Sequence, residues 1–322
     1  MIAAPFHAGE RALQARAGAR EFMAAAGPRV IRDFMPEQHR AFFAQLPFLL
    51  VGSLDADGQP WASVLSAPAG FAHSPDPAHL RIDALPTPGD PLAGQLAPGA
   101  LLGLLGIEPH TRRRNRMNGR VEAFDGTGFM LAVQQSFGNC PKYIQAREPL
   151  FARDGGATAA PAERRDGLDA AARRLIARAD TLFIASALPL QAWAGDAASP
   201  AAQGVDVSHR GGRPGFVRVD ADGTLTVPDF VGNRFFNTLG NLAVHPRAGL
   251  LFIDFETGEL LHLAARAEIV WDGPEAAAFE GAERLLRLRV DTLLRRPAAL
   301  PLRWSEAELS PHLAHTGRWA AA

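Results

Sequence analysis

The sequence predicts a mainly β fold with short helices, and three observations carry that prediction. Short apolar runs of strand length recur at Phe48–Leu54, Trp61–Leu65, Leu80–Ala84, Ala100–Ile107, Val121–Phe124 and Gly128–Val133. Turn-forming groups separate them, notably Asp55-Ala56-Asp57-Gly58 and Asp125-Gly126-Thr127-Gly128. A second series of the same kind follows at Thr181–Ser186, Phe216–Val219, Leu225–Val227, Gly249–Phe255, Leu260–Val270 and Leu285–Val290. Many short strands at this spacing suit an antiparallel barrel or sandwich rather than alternating β-α units.

The order of elements divides the chain into an N-terminal helical segment over 1–46, a first barrel over 47–150, a linker and helix over 151–180, and a second barrel with a C-terminal tail over 181–322. The first segment is Ala-rich and has helical spacing at Ala12, Ala15 and Ala19, then at Phe34, His39, Phe42, Phe43 and Leu46. Between Phe151 and Gly167 periodicity is lost in an Ala/Gly/Pro/Arg-rich stretch, and a helix is expected over Leu168–Ala179.

The two strand series align in order. Leu50-Val51-Gly52-Ser53 matches Phe183-Ile184-Ala185-Ser186, and Gly58-Gln59-Pro60 matches Gly212-Arg213-Pro214. Gly103-Leu104-Leu105 matches Gly249-Leu250-Leu251, with Arg120 and Glu122 facing Arg266 and Glu268 at the same offset. An ordered set of matches with drifting offsets is expected of a duplicated scaffold whose loops changed length.

Composition narrows the function classes. Among 322 residues, 47% are hydrophobic and 21% charged, the balance of a globular protein, and the net charge of -1 supplies no global field for nucleic acid or anionic membrane. Cys140 is the only cysteine, so no disulfide framework exists, and it reads as a small packed thiol. Met1–Glu10 lacks the basic and apolar stretches of a signal peptide, and no run approaches the roughly 18 apolar residues of a membrane span. The expectation is a soluble, cytoplasmic protein. The ten histidines show no zinc-type spacing, so no metal is expected. No Gly-X-Gly-X-X-Gly follows a strand, and Asp206, Ser208 and His209 lack the nucleophile elbow of a hydrolase.

Two segments carry chemistry. In the second half, Pro228-Asp229-Phe230-Val231-Gly232-Asn233-Arg234-Phe235-Phe236-Asn237-Thr238-Leu239 is expected to change from strand to helix, with Gly232 at the change. Gly232 permits close backbone approach, the amides opening the helix suit an anion, Asn233 can donate, and Arg234 can chelate a phosphate. In the first half, the run Arg112–Arg116 continues to Arg120. A solvated hairpin and a contribution to a phosphate across the barrel interface both remain open for it; strand alternation places Arg116 and Arg120 on one face.

In order, Gly215-Phe216-Val217-Arg218-Val219, Leu225-Thr226-Val227-Pro228-Asp229, Gly232-Asn233-Arg234, Asn237-Thr238-Leu239-Gly240-Asn241-Leu242, His245–Ile253 and Arg266-Ala267-Glu268-Ile269 resemble the FMN-binding split-barrel proteins of the pyridoxamine 5′-phosphate oxidase-like family. Gln135–Ile144 is similar to the segment that ends the first barrel in tandem members. The resemblance implies two tandem FMN-binding split β-barrels of Greek-key type. It implies FMN as cofactor, with the isoalloxazine along Phe216, Val217 and Val219. Asn233 and Arg234 would meet the phosphate, Pro228 and Asp229 would line the approach, and Lys142 would come from the first half. Gly89-Asp90-Pro91 stands where Gly232-Asn233-Arg234 stands, and Asp90 would repel a phosphate, which implies one site per chain.

The implied function is FMN-dependent oxidoreduction of a small molecule, with NAD(P)H or an electron-transfer protein as donor. No residue stands out as an obligatory acid or base; His209 and Arg266 are the candidates for stabilising reduced flavin or a substrate anion. The duplicated chain would form internally the pair that the family forms as a homodimer, and a homodimer of such chains also stays open. The competing readings are a non-catalytic flavin-binding, storage or sensing protein, and a split barrel that takes haem or a deazaflavin.

Overall fold

The structure is a computed structural model and describes residues 4–152, 161–189 and 202–320. Three helices come first: α1 (Ala8–Arg16), α2 (Arg20–Val30) and α3 (Glu37–Ala44). Strands β1 (Phe48–Leu54), β2 (Pro60–Ser66), β3 (Ala72–His73), β4 (His79–Ile82), β5 (Leu101–Glu108), β6 (Arg113–Phe124) and β7 (Phe129–Gly138) follow. They form an antiparallel sheet in the order β2-β1-β5-β6-β7-β4-β3.

Between the sheets lie β8 (Pro149–Phe151), β9 (Glu163–Asp166) and α4 (Ala170–Arg178). The Asp169 side chain caps α4 by accepting from the Ala172 N–H, which starts the helix close to its expected position. The second sheet comprises β10 (Thr181–Leu188), β11 (Gly204–Gly211), β12 (Arg218–Val219), β13 (Leu225–Phe230), β14 (Arg247–Ile253), β15 (Leu260–Val270) and β16 (Ala282–Arg296), with α5 (Asn237–Val244) before β14 and α6 (Pro274–Ala278) before β16. Its order is β11-β10-β14-β15-β16-β13-β12, with β9 added on β16; strand for strand this repeats the first sheet. A final strand, β17 (Leu302–Trp304), pairs with β8.

The apolar runs are continuous because the inner strands are buried on both faces. On β1, Leu49 and Val51 enter the first barrel's interior, while Phe48 and Leu50 join a core shared between the barrels. Leu182 and Ile184 of β10 likewise fill the second barrel, and Phe183 and Ala185 face the shared core. The barrels meet at very short range there. A Cβ on Gly103 would lie 2.3 Å from the Val205 carbonyl oxygen, and one on Gly249 would lie 2.2 Å from that of Pro60. The matching Gly-Leu-Leu triplets thus mark two crossings of backbone against backbone, where only glycine fits.

Several expectations need correction. Gly212–Pro214 follows β11, whereas Gly58–Pro60 joins β1 to β2, so this aligned pair is not structurally equivalent. Phe216 and Val217 are not in a strand, and β12 holds only Arg218 and Val219. Strand β11 is missing from the expected series because Asp206, Ser208, His209 and Arg210 interrupt its apolar pattern. All but Arg210 of these are buried, since the strand presses against the other barrel. Among the described residues no helix is long and apolar enough to cross a membrane.

Candidate anion-binding cleft between the barrels

A cleft with roughly 860 Å³ of atom-free space, its open mouth included, lies where the two sheets meet. The first half contributes Arg114 and Arg116 of β6 and the loop Asn139–Tyr143. The second contributes Ser208–Gly211 of β11, the segment Pro228–Arg234, the opening of α5, and Glu283 and Arg284 of β16. Six cationic side chains line it (Arg114, Arg116, Lys142, Arg210, Arg234 and Arg284) against two carboxylates, Asp229 and Glu283.

The basic run, open between a solvated hairpin and an interface contact, lies from Arg113 onwards in strand β6. Arg116 and Arg120 share its outer face, but the second barrel covers only Arg116, which is 3% exposed. Its guanidinium donates to Asp206 Oδ1 (3.0 Å), Asn237 Oδ1 (3.1 Å) and the Ser208 hydroxyl, and stacks 5.3 Å from the Phe137 ring. Its Nε is buried without a hydrogen-bond partner among the described residues, as is Asn139 Nδ2. Asp206 also accepts from Asn118 and Asn241.

Behind this floor, Glu10 of α1 accepts from Asn237 Nδ2 (2.5 Å) and from the His7 N–H (2.8 Å). Burial, and then the nearby Asp206 charge, holds its carboxyl well above the ordinary range. The helix reaches this position because Gly9 and Gly240 let α1 and α5 cross closely.

Burial and the crowding of like charge together set the site's electrostatics. Burial, then the Arg210 and Arg116 charges, pull the Arg114 guanidinium down to about 9, while Cys140 opposes the shift. Arg114 also donates to the Cys140 and His209 carbonyls. Burial and the surrounding arginines, Arg114 first, push His209 well below the usual imidazole range, so it is neutral at pH 7. Its ring lies against Phe183, whereas the Ser208 hydroxyl meets Arg116 and Thr238; adjacent strand residues face opposite ways, and no Ser–His pair forms.

The backbone is strained at the same place. Among the described residues five non-glycine residues have positive φ, and three of them, Tyr143 (63°), Arg234 (61°) and Phe236 (64°), line the cleft. Such strain persists only where surrounding structure holds it, and it concentrates at ligand sites. Asn233 is held by a 3.2 Å bond from its Nδ2 to Asn139 Oδ1, and its own Oδ1 accepts from the Phe235 N–H. Arg234 is exposed and makes no hydrogen bond or ion pair among the described residues. The left-handed Phe236 then opens α5, whose residues Asn237, Thr238 and Leu239 face the cleft. The helix starts three residues later than the Gly-Asn-Arg turn, so that turn forms a loop rather than a first helical turn.

Of the expected site residues, Pro228, Asp229, Asn233, Arg234, Lys142 and His209 meet in this cleft. Phe216 and Val217 do not: both are packed in the second barrel's core, with Val219 against it. The expectation of a flavin ring along that segment is corrected accordingly. Arg266 is also remote, paired with Asp291 at 3.2 Å on the outer surface of β15. Ser208, Thr238, Glu10 and Arg284 have no ligand-binding role in the sequence reading. Arg116 had the one readable signal, an arginine in strand alternation with Met117. Among the described residues there is no cluster of three or more His, Cys, Asp or Glu able to hold a metal.

No protein-family model and no curated protein matches the chain. Among solved structures, a HupZ variant from Group A Streptococcus is 12% identical, with 39% of this chain and 98% of that one covered, at a TM-score of 0.29. A proposed pyridoxamine 5′-phosphate oxidase from Lactobacillus delbrueckii is 16% identical, with coverages of 33% and 95% and a TM-score of 0.26. Likenesses this weak carry no part of the functional argument, which rests on the cleft.

Proposed function

We propose that this chain is an FMN-binding flavoprotein of the pyridoxamine 5′-phosphate oxidase-like kind. It would act as an FMN-dependent oxidoreductase on a small molecule, with NAD(P)H or an electron-transfer protein as donor. The observation that supports this most is the excess of positive charge in the inter-barrel cleft. Six cations meet Asp229 and Glu283 there, with Asp206 pairing Arg116 from beneath, and Arg116 Nε is buried without a hydrogen-bond partner among the described residues. Burial first, and then the Arg210 and Arg116 charges, lower the Arg114 guanidinium to about 9, and an anion in the cleft would relieve the repulsive part.

The residues present fit such a group. Arg116, Arg114 and Arg234, with the opening amides of α5, would hold the phosphate. Tyr143 and Phe230, whose ring centroids are 5.0 Å apart, offer an aromatic wall for a planar ring system. When bound, FMN supplies the redox chemistry, and the protein binds, orients and tunes it. Neutral His209 holds no charge beside the arginines and is a hydrogen-bonding group rather than a cation. Because both barrels line the cleft, the chain works as an internal pseudo-dimer in this reading.

Purified protein tests it. The expected result is a yellow preparation that releases FMN on denaturation and is reduced by NADPH, NADH or a reduced electron-transfer protein. FMN without turnover with any donor would reduce the reading to a binding module. A colourless protein that cannot be loaded with FMN would overturn it.

A further inference from the structure

The shared strand order gives the cleft a counterpart with the sheets exchanged, at β2, β15 and the end of β16. Register identifies its members. Leu105 pairs with Arg116 as Leu251 pairs with His262, so His262 stands in the place of Arg116. Val51 pairs with Ser63 as Ile184 pairs with Ser208, so the two serines correspond. Arg296 pairs with Leu260, and the Asn139 N–H bonds to the Arg114 carbonyl, which puts Arg296 in the place of Asn139.

This counterpart is closed. Arg296 Nη1 donates to Asp90 Oδ2 at 2.5 Å, with the side chains only 3% and 1% exposed. The Ser63 hydroxyl donates to Asp90 Oδ1 at 2.5 Å, and the Leu92 N–H to the same oxygen at 2.9 Å. The other arm of Arg296 donates to Thr87 and to the Pro88 carbonyl, which draws the loop before Asp90 over the site. His262 Nε2 is buried without a partner among the described residues, and the ring feels the charges of both Asp90 and Arg296. Asp90 thus does not face a ligand and repel it. Its carboxylate is itself the anion, held by a serine hydroxyl, a backbone N–H and one arm of an arginine.

The geometry points to a second anion site, built on Arg296 and Ser63 and fitted to a small carboxylate, that the chain keeps filled with its own Asp90. The two barrels therefore share one open anion-binding cleft, and the other is occupied from within. This goes beyond the flavin reading and does not depend on which ligand the open cleft takes.

The substitution Asp90→Ala removes the carboxylate and keeps Cβ, which leaves a hole the size of formate beside an unpaired buried guanidinium. Breaking a buried pair from one side is strongly destabilising, so the thermal midpoint should fall by roughly 5 °C or more. Millimolar formate or acetate should restore much of that loss, and chloride at equal ionic strength should not. Wild-type protein, which retains the open cleft, sets the response that cleft contributes. Asp90→Asn fills the hole and should show no rescue, and Asp90→Ala/Arg296→Met should lose it. Should Asp90→Ala fail to accumulate folded, refolding from denaturant in formate and in chloride reads the same property. Recovery confined to formate supports the site, and equal recovery or none in both overturns it. Rescue of the alanine variant no greater than that of wild type also overturns it.

Discussion

Arg234→Glu separates ligand binding from folding more cleanly than any other change in the cleft. The side chain is exposed and has no partner among the described residues. Its φ of 61° is as strained for glutamate as for arginine. Stability should therefore change by no more than about 0.5 kcal/mol. Binding should respond strongly. Loss of one charge-assisted hydrogen bond to a phosphate costs about 1.5–3 kcal/mol. A carboxylate placed about 5 Å from the phosphate at an effective dielectric near 20 adds about 3 kcal/mol of repulsion. The sum, about 4.5–6 kcal/mol, corresponds to a rise in Kd of roughly three to four orders of magnitude. Titration of apo-protein with FMN, followed by flavin fluorescence, measures the affinity, and urea unfolding of the same preparation measures the stability. An affinity within a few-fold of wild type would refute the phosphate role of Arg234. A large loss of stability would refute the view that the side chain is structurally idle.

Two further outcomes test the rest of the molecule. Gly103→Ala would place a methyl 2.3 Å from the Val205 carbonyl oxygen, a backbone atom that cannot swing away. It should lower the urea midpoint by an amount equivalent to about 1–3 kcal/mol, and a neutral result would show that the barrels can separate there without cost. Acidification should destabilise the fold from about pH 6.5 downwards. His209 and His262 are buried, and burial comes first in lowering both below the unfolded value. The unfolded chain then binds more protons in that window, and stability falls with pH. Glu10 acts in the opposite sense, because its raised value costs stability at neutral pH that is regained as it protonates. His209→Gln should flatten the decline in urea midpoint between pH 7.5 and 5.5, and an unchanged slope would show that His209 titrates normally.

The fold was legible where burial is written as hydrophobicity. The runs at Phe48–Leu54 and Gly249–Phe255 became β1 and β14, because inner strands buried on two faces need apolar residues at every position. Strand β11 was illegible for the opposite reason: its Asp206 and Ser208 are satisfied by Arg116, Asn118, Asn241 and Thr238, from elements far away in sequence. A buried polar strand looks like a loop until its partners are known. Part of the cleft was visible in Gly232-Asn233-Arg234, since a lone arginine after glycine and asparagine has a local signature. Glu10 had none, because nothing near it in sequence foretells a carboxyl placed behind Asn237.

By itself the sequence determined the mainly β character, the two series of strands and the Gly-Leu-Leu positions, all of which rest on local pattern and on side-chain size. Only the tertiary structure decided which charges meet. For Arg116 the sequence left open both a solvated hairpin and a place at the barrel interface, and the second barrel buried it as the floor of a cleft. Asp90 looked like a carboxylate that would repel a ligand, and Arg296, 206 residues along the chain, turned it into the closure of a second site. The reason is physical: periodicity depends on near neighbours, whereas the energy of a charge depends on every charge and dipole that folding brings beside it.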